Sequence, residues 1–232
     1  MHICILHIGF ATPAVSSKHQ PSPIRFQNLL KPFMPDAQWS VVNCVEDALP
    51  DQLHQFDGYI ITGGKYSVFE DLPWQHTLFE FIRNLYEQDI PLAGICYGHQ
   101  AIAHALGGKV ERFTGGWGVG INTITAHNLA PWMQPPATQL ELLAMHQDQV
   151  TRLPSGARTY LSSDFCPQSG FYESHKLFAI QQHPEFTPEL CQDLIERRKE
   201  RIGGIYADAI KSLETHHQGH IVGNWIANFF ST

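Results

Sequence analysis

A cysteine lies between two glycines at residues 94–98 (Gly-Ile-Cys-Tyr-Gly), where an apolar run gives way to a helical pattern. This pattern is the cysteine form of a nucleophile elbow, in which a sharp strand-to-helix turn presents the reactive group. The glycines remove side chains that would clash there, and the positive end of the following helix favours a thiolate at Cys96. A lone pattern of this kind also fits a buried structural cysteine beside a turn, but the flanking strand and helix favour a nucleophile.

A histidine and a carboxylate follow a predicted strand in the run Gln182-His183-Pro184-Glu185. Pro184 biases His183 toward an extended backbone, and in an extended chain alternate residues point to the same side. His183 and Glu185 can therefore project together, as the base and its orienting carboxylate in a Cys-His-Glu triad. By itself a His-Pro-Glu run is also typical of a surface turn.

Two adjacent glycines, Gly63 and Gly64, end another predicted strand. Glycines allow a ligand to approach the backbone closely, where N–H groups can be aimed at it. The N–H groups of Gly64 and Tyr97 together can form an oxyanion hole. A Gly-Gly pair alone is more typical of a simple turn.

These groups must be positioned by strands whose ends meet at one edge of a sheet. Apolar runs predict strands at 3–8, 39–43, 57–62 and 91–95, and helical spacing predicts helices at 26–33, 73–88 and 100–106. Alternating strands and helices predict a parallel sheet with helices on both faces.

The middle of the chain, 109–182, changes character. Its predicted strands are 119–125, 139–145, 158–163 and 177–182, and we interpret them as an extension of the same sheet. Thr187 and Pro188 are typical of an N-cap and a first helical position, so a helix is expected after Phe186. A last helix is predicted at about 219–230, and the 9–23 segment is the longest expected loop.

Composition excludes several classes of protein. The chain has 232 residues and a formal net charge of −7, which argues against a nucleic-acid partner, since such binding depends on many Lys and Arg contacts to phosphate. No window approaches the roughly 18 apolar residues of a membrane span. The start is interpreted as a first strand and not as a signal peptide, so a cytoplasmic location without membrane association is expected.

The cysteines and histidines are mostly expected to be structural. Five cysteines, an odd number without C-x-x-C pairs, indicate reduced thiols. Cys166 is expected in an exposed loop, whereas Cys4, Cys44 and Cys191 are expected to be buried and inert. The histidines at 216–220 lack a nearby cysteine or carboxylate, so neither a metal site nor a cofactor is predicted.

Taken together, the three motifs resemble the class I (triad) glutamine amidotransferases, most closely the stand-alone relatives of the glutaminase domain of GMP synthase. The resemblance extends over residues 57–186, and it includes the runs 70–74 (Glu-Asp-Leu-Pro-Trp) and 145–150 (Met-His-Gln-Asp-Gln-Val). The chain departs from the family pattern at Lys65, where many relatives have proline, and at Met145 and Gln147. These departures affect the oxyanion loop and the preference for free glutamine over other γ-glutamyl compounds.

The resemblance implies a role for each matching residue. Cys96 would attack the side-chain amide of glutamine, His183 would transfer protons, and Glu185 would hold His183. Gly64 and Tyr97 would bind the oxyanion. The implied substrate-binding set adds Asp148 as a lone carboxylate for the α-ammonium group, the backbone at Met145, His146 and Gln147 for the α-carboxylate, and Gly63 and Gln100.

We therefore predict a single domain over residues 1–232, a three-layer flavodoxin-like α/β fold, that hydrolyses glutamine and supplies ammonia to an acceptor. No synthetase domain or Walker-type phosphate loop is expected, so a partner that modifies the acceptor would be a separate chain. A γ-glutamyl peptidase that acts alone on γ-glutamyl peptides is the alternative. A non-catalytic regulatory module is a third interpretation, against which the intact Cys96, His183 and Glu185 argue.

Overall fold

The computed structural model describes residues 1–9 and 13–232. The strands are β1 (His2–His7), β2 (Gln38–Asn43), β3 (Gly58–Ile61), β4 (Leu92–Ile95), β5 (Lys109–Arg112), β6 (Gly118–Ala126), β7 (Gln139–His146), β8 (Asp148–Arg152), β9 (Arg158–Ser162), β10 (Gly170–Glu173) and β11 (Leu177–Ile180). The helices are α1 (Pro13–Ser16), α2 (Ser22–Leu30), α3 (Pro73–Glu87), α4 (Tyr97–Ala105), α5 (Pro188–Glu196), α6 (Lys199–Ile202), α7 (Tyr206–Ser212) and α8 (Gly219–Phe230). Short 3₁₀ turns lie at Leu53–Gln55 and Gly203–Ile205.

The central sheet has nine strands in the order β2-β1-β3-β4-β11-β10-β9-β6-β7. The first five of these strands run parallel, and their order is that of flavodoxin-like folds. The remaining strands add by antiparallel pairing. The predictions of an α/β fold and of a β-rich extension of one sheet are therefore confirmed.

The parallel strands β1, β3, β4 and β11 are buried on both faces, which is why they are nearly continuous apolar runs, whereas the edge strand β2 is partly exposed. Alternate residues of β1 illustrate this, since Ile3 and Ile5 face the core beneath α2 and α8, whereas Cys4 and Leu6 face α3 and α4. A third apolar cluster packs α5 and α7 against β6 and β7. None of the helices in the described ranges is long and apolar enough to cross a membrane.

The register of the parallel strands brings the predicted motifs to one edge of the sheet. Ile61 pairs with Gly94, and Ile95 pairs with Ile180, so β3, β4 and β11 end almost level. The N–H of Cys96 donates to the Ile180 carbonyl at 2.8 Å, directly beyond the last pairs. The carboxyl edge of an open α/β sheet is where ligands bind in such folds.

Several elements differ from the sequence prediction. Strands β5, β8 and β10 were not predicted, because β5 and β8 are rich in charged and polar residues and β10 is only four residues long. The 9–23 segment is not one loop, since α1 and the start of α2 lie within it; its residues 10–12 lie outside the described ranges. Helix α4 begins at Tyr97, three residues earlier than predicted, directly after the cysteine. The N-cap prediction is confirmed, because the Thr187 hydroxyl accepts from the Leu190 N–H at 3.3 Å.

Candidate active site

Cys96 occupies a strained turn between β4 and α4. Its backbone has φ 53° and ψ −101°, a region that side-chain-bearing residues seldom adopt. The flanking glycines are required by close contacts, since a Cβ on Gly94 would lie 2.6 Å from the Gly98 carbonyl. A Cβ on Gly98 would overlap the carbonyl of Ile61 on β3. The Gly-x-Cys-x-Gly pattern thus lets the helix begin against the sheet with Cys96 at its first turn.

His183 and Glu185 follow β11 and are both buried, with 5% exposure each. The His183 Nδ1 atom lies 2.8 Å from Glu185 Oε1, so the ring and the carboxylate form a hydrogen-bonded pair. The His183 N–H donates to the Leu143 carbonyl at 2.8 Å, which anchors the segment to β7. The expected same-side projection of these two residues is therefore observed.

The His183 ring also lies on an aromatic residue that sequence reasoning missed. Phe186 stacks on it with ring centroids 3.8 Å apart and an angle of 15° between the planes. Arg25 of α2 places its guanidinium carbon 5.4 Å from the centroid of the Phe186 ring. Phe186 directly follows Glu185 in the sequence, and this closeness was the one sign that its ring could contact the imidazole. The contact itself depends on the turn at Pro184.

The electrostatics of the site favour a protonated His183. Burial lowers the pKa of His183, but the neighbouring charges of Glu185 and Cys96 outweigh burial and raise this pKa to about 10. A raised pKa means that His183 keeps its proton at neutral pH and loses it only as the pH rises through that value. The charge on the imidazolium stabilises a thiolate nearby. By contrast, burial lowers the pKa of His146 to about 4, so this imidazole is neutral.

The two glycines after β3 complete the surroundings of Cys96. A Cβ on Gly63 would lie 2.6 Å from His183 Cε1 and 3.5 Å from Cys96 Cβ, so Gly63 is in direct contact with both. Gly64 packs on Ile8 and is exposed. Tyr97 is the first residue of α4, and first-turn N–H groups have no acceptor within their own helix.

Comparison with known proteins agrees with this geometry. The family model described as glutamine amidotransferase class-I matches residues 28–199. The chain belongs to the class-I glutamine amidotransferase family. Gamma-glutamyl peptidase 3 of Arabidopsis thaliana is 31% identical over 169 residues, which cover 69% of this chain and 68% of the relative.

Two further relatives extend the comparison. One of the subunits of the glutamine-hydrolysing GMP synthase of Saccharolobus solfataricus is 34% identical over 136 residues, covering 58% of this chain and 70% of that protein. The crystal structure of a glutamine amidotransferase from Thermotoga maritima shares the fold, with a TM-score of 0.78 and 20% identity. That alignment covers 100% of this chain and 97% of the other.

In this amidotransferase-family chain the predicted substrate residues 145–148 lie where β7 passes into β8. Gln100, one turn after Cys96 on α4, donates from Nε2 to the Asp148 carbonyl at 2.9 Å and to Gln181 at 3.0 Å. Met145 and His146 end β7, where they pair with β6. The Gln147 carbonyl accepts from the Phe113 N–H at 3.1 Å. The substrate contacts of these residues stay a prediction.

The expectation of a lone carboxylate at Asp148 is wrong. Its Oδ1 accepts from Arg112 Nε at 3.0 Å, and its Oδ2 accepts from the Ser67 hydroxyl. Sequence reasoning missed both partners, because Ser67 is 81 residues distant along the chain and Arg112 lies on the unpredicted strand β5.

Among the five cysteines, only Cys96 is placed beside a base. Burial raises the pKa of Cys4 and Cys191 to about 12 and that of Cys166 to about 11, and it raises the pKa of Cys44 even further. The expected exposure of Cys166 is wrong, since only 1% of this residue is accessible. No group of three or more metal-ligating side chains occurs within the part of the chain that the structure describes.

We expect Cys96 to be the one fast-reacting thiol under native conditions. Iodoacetamide should label it first, with mass spectrometry locating the adduct, and labelling should persist near neutral pH because the protonated His183 favours the thiolate. In His183→Ala the labelling rate near pH 6.5 should fall on the order of 10–100-fold, toward that of an ordinary thiol. Cys96→Ala is the control, because it lacks this thiol and should show no rapidly labelled cysteine. Equal labelling of Cys166 or Cys191 in the folded wild type would contradict the assignment.

Proposed function

We propose that the chain hydrolyses a γ-glutamyl amide bond through a γ-glutamyl thioester on Cys96, with glutamine as the first candidate donor. One observation carries the proposal: Cys96 lies at a strained strand-to-helix turn beside His183, whose Nδ1 atom is 2.8 Å from Glu185 Oε1. A nucleophile, a base and an orienting group in this relation are the elements of nucleophilic acyl transfer.

In the first half-reaction His183 already carries the proton, and the thiolate sulfur of Cys96 attacks the side-chain carbonyl carbon of the donor. The developing oxyanion accepts hydrogen bonds from the N–H groups of Gly64 and Tyr97. The carbon–nitrogen bond then breaks, and His183 gives its proton to the departing nitrogen. The products are ammonia, or an amine if the donor is a peptide, and the thioester.

In the second half-reaction a water molecule takes the position of the leaving group. His183 removes a proton from this water as its oxygen attacks the thioester carbonyl. The carbon–sulfur bond breaks, glutamate is released, and the Cys96 thiolate beside a protonated His183 is restored. Glu185 and the stacked ring of Phe186 keep the imidazole in one orientation through both halves.

A γ-glutamyl peptide is a second candidate donor, and a specific feature favours it. Lys65 is exposed on the loop after β3, with its Nζ atom 5.3 Å from the centre of the Tyr66 ring. A flexible cation on the expected leaving-group side attracts a carboxylate, which the amine of a γ-glutamyl peptide carries and ammonia does not. The similarity to a gamma-glutamyl peptidase points in the same direction.

A separate synthetase partner is the corresponding proposal for the glutaminase reaction. The similarity to one of the subunits of a GMP synthase supports it, because a protein named as a subunit works with another chain. Such a partner would receive ammonia and transfer it to a small-molecule acceptor. A peptidase would need no such partner.

The test is a donor panel with purified protein. Glutamine and several γ-glutamyl dipeptides are incubated with the wild type and with Cys96→Ala, while glutamate and the released ammonia or amino acid are quantified. We expect turnover of at least one donor by the wild type and none above background by the variant. A wild type that hydrolyses no γ-glutamyl compound, or a variant that retains turnover, would contradict the proposal.

A further inference from the structure

Three polar side chains form a closed hydrogen-bonded ring beside the elbow, which we name the Arg112–Asp148–Ser67 ring. Arg112 donates from Nε to Asp148 at 3.0 Å and from Nη2 to the Ser67 hydroxyl at 2.9 Å. The Ser67 hydroxyl donates in turn to the other oxygen of Asp148. The ring therefore pairs one positive with one negative charge.

The ring is fixed relative to the nucleophile by two independent connections. The Asp148 carbonyl accepts from Gln100, whose own N–H donates to the Cys96 carbonyl at 3.1 Å. The Ser67 carbonyl accepts from Gln75 Nε2 at 2.8 Å, and the same nitrogen lies 3.0 Å from the hydroxyl of Tyr97, the residue after the nucleophile. The ring is therefore connected to both elbow residues, to Cys96 through Gln100 and to Tyr97 through Gln75.

The ring is buried on its protein side and open on the other. Ser67 and Asp148 have 5% and 8% exposure, whereas the side chain of Arg112 is 54% exposed. Arg112 uses its Nε and Nη2 groups within the ring, and a guanidinium has five N–H donors in all. The exposed ring of Phe69 lies 5.8 Å from its central carbon and covers one face. Arg112 therefore keeps N–H groups that the ring does not use and that a ligand can reach.

We propose that Arg112 determines donor specificity by binding the α-carboxylate of the γ-glutamyl group while Asp148 receives its α-ammonium. This inference rests on the proposed function and names the recognition element of the same site. An Arg–carboxylate contact is charge-assisted and can be bidentate, so it is both strong and directional. The function of Arg112 would be separate from catalysis, since its side chain is not part of the triad.

Charge balance gives the proposal its specific consequence. A lone Asp148 would favour any donor that carries a net positive charge, including one without an α-carboxylate. With Arg112 beside it, the ring carries one charge of each sign and matches a zwitterion, so a donor lacking either charge leaves one partner unsatisfied. Specificity arises here from the penalty on the wrong donor as much as from attraction to the right one.

The test compares two donors that differ by one group. They are the best donor of the panel above and the same compound without its α-carboxylate, which for glutamine is γ-aminobutyramide. Arg112→Met should lower kcat/KM for the complete donor on the order of 10–100-fold, mainly through KM, as expected for a lost charge-assisted contact. The same variant should leave the decarboxylated donor unchanged or improve it, because Asp148 is then freed.

Two further variants sharpen the result. Asp148→Asn should show the reverse pattern, with a loss for donors that carry an α-ammonium group and little change for the des-amino donor glutaramate. Arg152→Met is the matched control, because Arg152 is an exposed arginine on β8 that donates to the Gly107 carbonyl, away from the ring. It should change neither donor.

The outcomes separate this inference from the proposed function. Unchanged thermal unfolding and unchanged Cys96 labelling in Arg112→Met would establish that the fold and the nucleophile are intact. An equal loss for both donors, or no loss for the complete donor, would overturn the role of Arg112 alone and leave the γ-glutamyl hydrolase standing. A wild type that hydrolyses none of the donors would overturn both.

Discussion

Replacing His183 by alanine is expected to reduce kcat/KM for the best γ-glutamyl donor nearly as much as Cys96→Ala, on the order of 10⁴–10⁶-fold. In the proposed mechanism His183 transfers a proton in both half-reactions, and its imidazolium stabilises the thiolate before attack. The double variant Cys96→Ala/His183→Ala should be no worse than either single variant, because the two residues act as one unit. Steady-state kinetics at fixed pH, with glutamate release as the readout, measures all three.

Two controls make this double-mutant cycle decisive. His54→Ala alters an exposed histidine before β3, at the edge of the sheet opposite the site, and should retain full activity. Glu185→Gln should be milder than His183→Ala, because the amide still contacts the ring but no longer raises the pKa of His183 by its charge. If the losses of the two alanine variants multiplied in the double variant, a triad acting as a unit would be excluded.

Gly63→Ala is the second change for which we expect a large effect, with the fold preserved. The added Cβ would lie 2.6 Å from His183 Cε1, so the imidazole must move. Its pairing with Glu185 and its stacking on Phe186 leave it little freedom, and displacement by about 1 Å lowers activity on the order of 10²-fold. We expect such a fall in kcat with only a small shift in Tm.

Gly204→Ala is the matched control for this substitution. A Cβ on Gly204 meets no atom within 4 Å in the described part of the chain, so the same chemical change should leave activity and Tm intact. Retention of activity within about threefold in Gly63→Ala would mean that the imidazole need not occupy its observed position for catalysis. The distance argument for the triad would then lose its support.

Local patterns in the sequence predicted the residues of the candidate site and the chemistry proposed for them. Cys96 stands between two glycines within a single turn. His183 stands two residues before Glu185 within a single extended segment. Such spacing has a direct geometric consequence, because alternate residues of an extended chain share a side and a strand-to-helix turn needs glycines. The parallel strands were equally predictable, since strands buried on both faces are continuous apolar runs.

Tertiary structure alone decided which distant residues meet. Strand β11 pairs beside β4, although a long insertion separates them, and this pairing brings His183 to Cys96. The partners of Asp148 come from β5 and from the loop after β3, so a carboxylate that looked alone in the sequence is neutralised. Periodicity reports whether a residue is buried but not what it contacts, because side-chain pairing depends on long-range register. The same limit explains why Cys166 was misplaced, since its burial arises from packing that its own loop sequence does not encode.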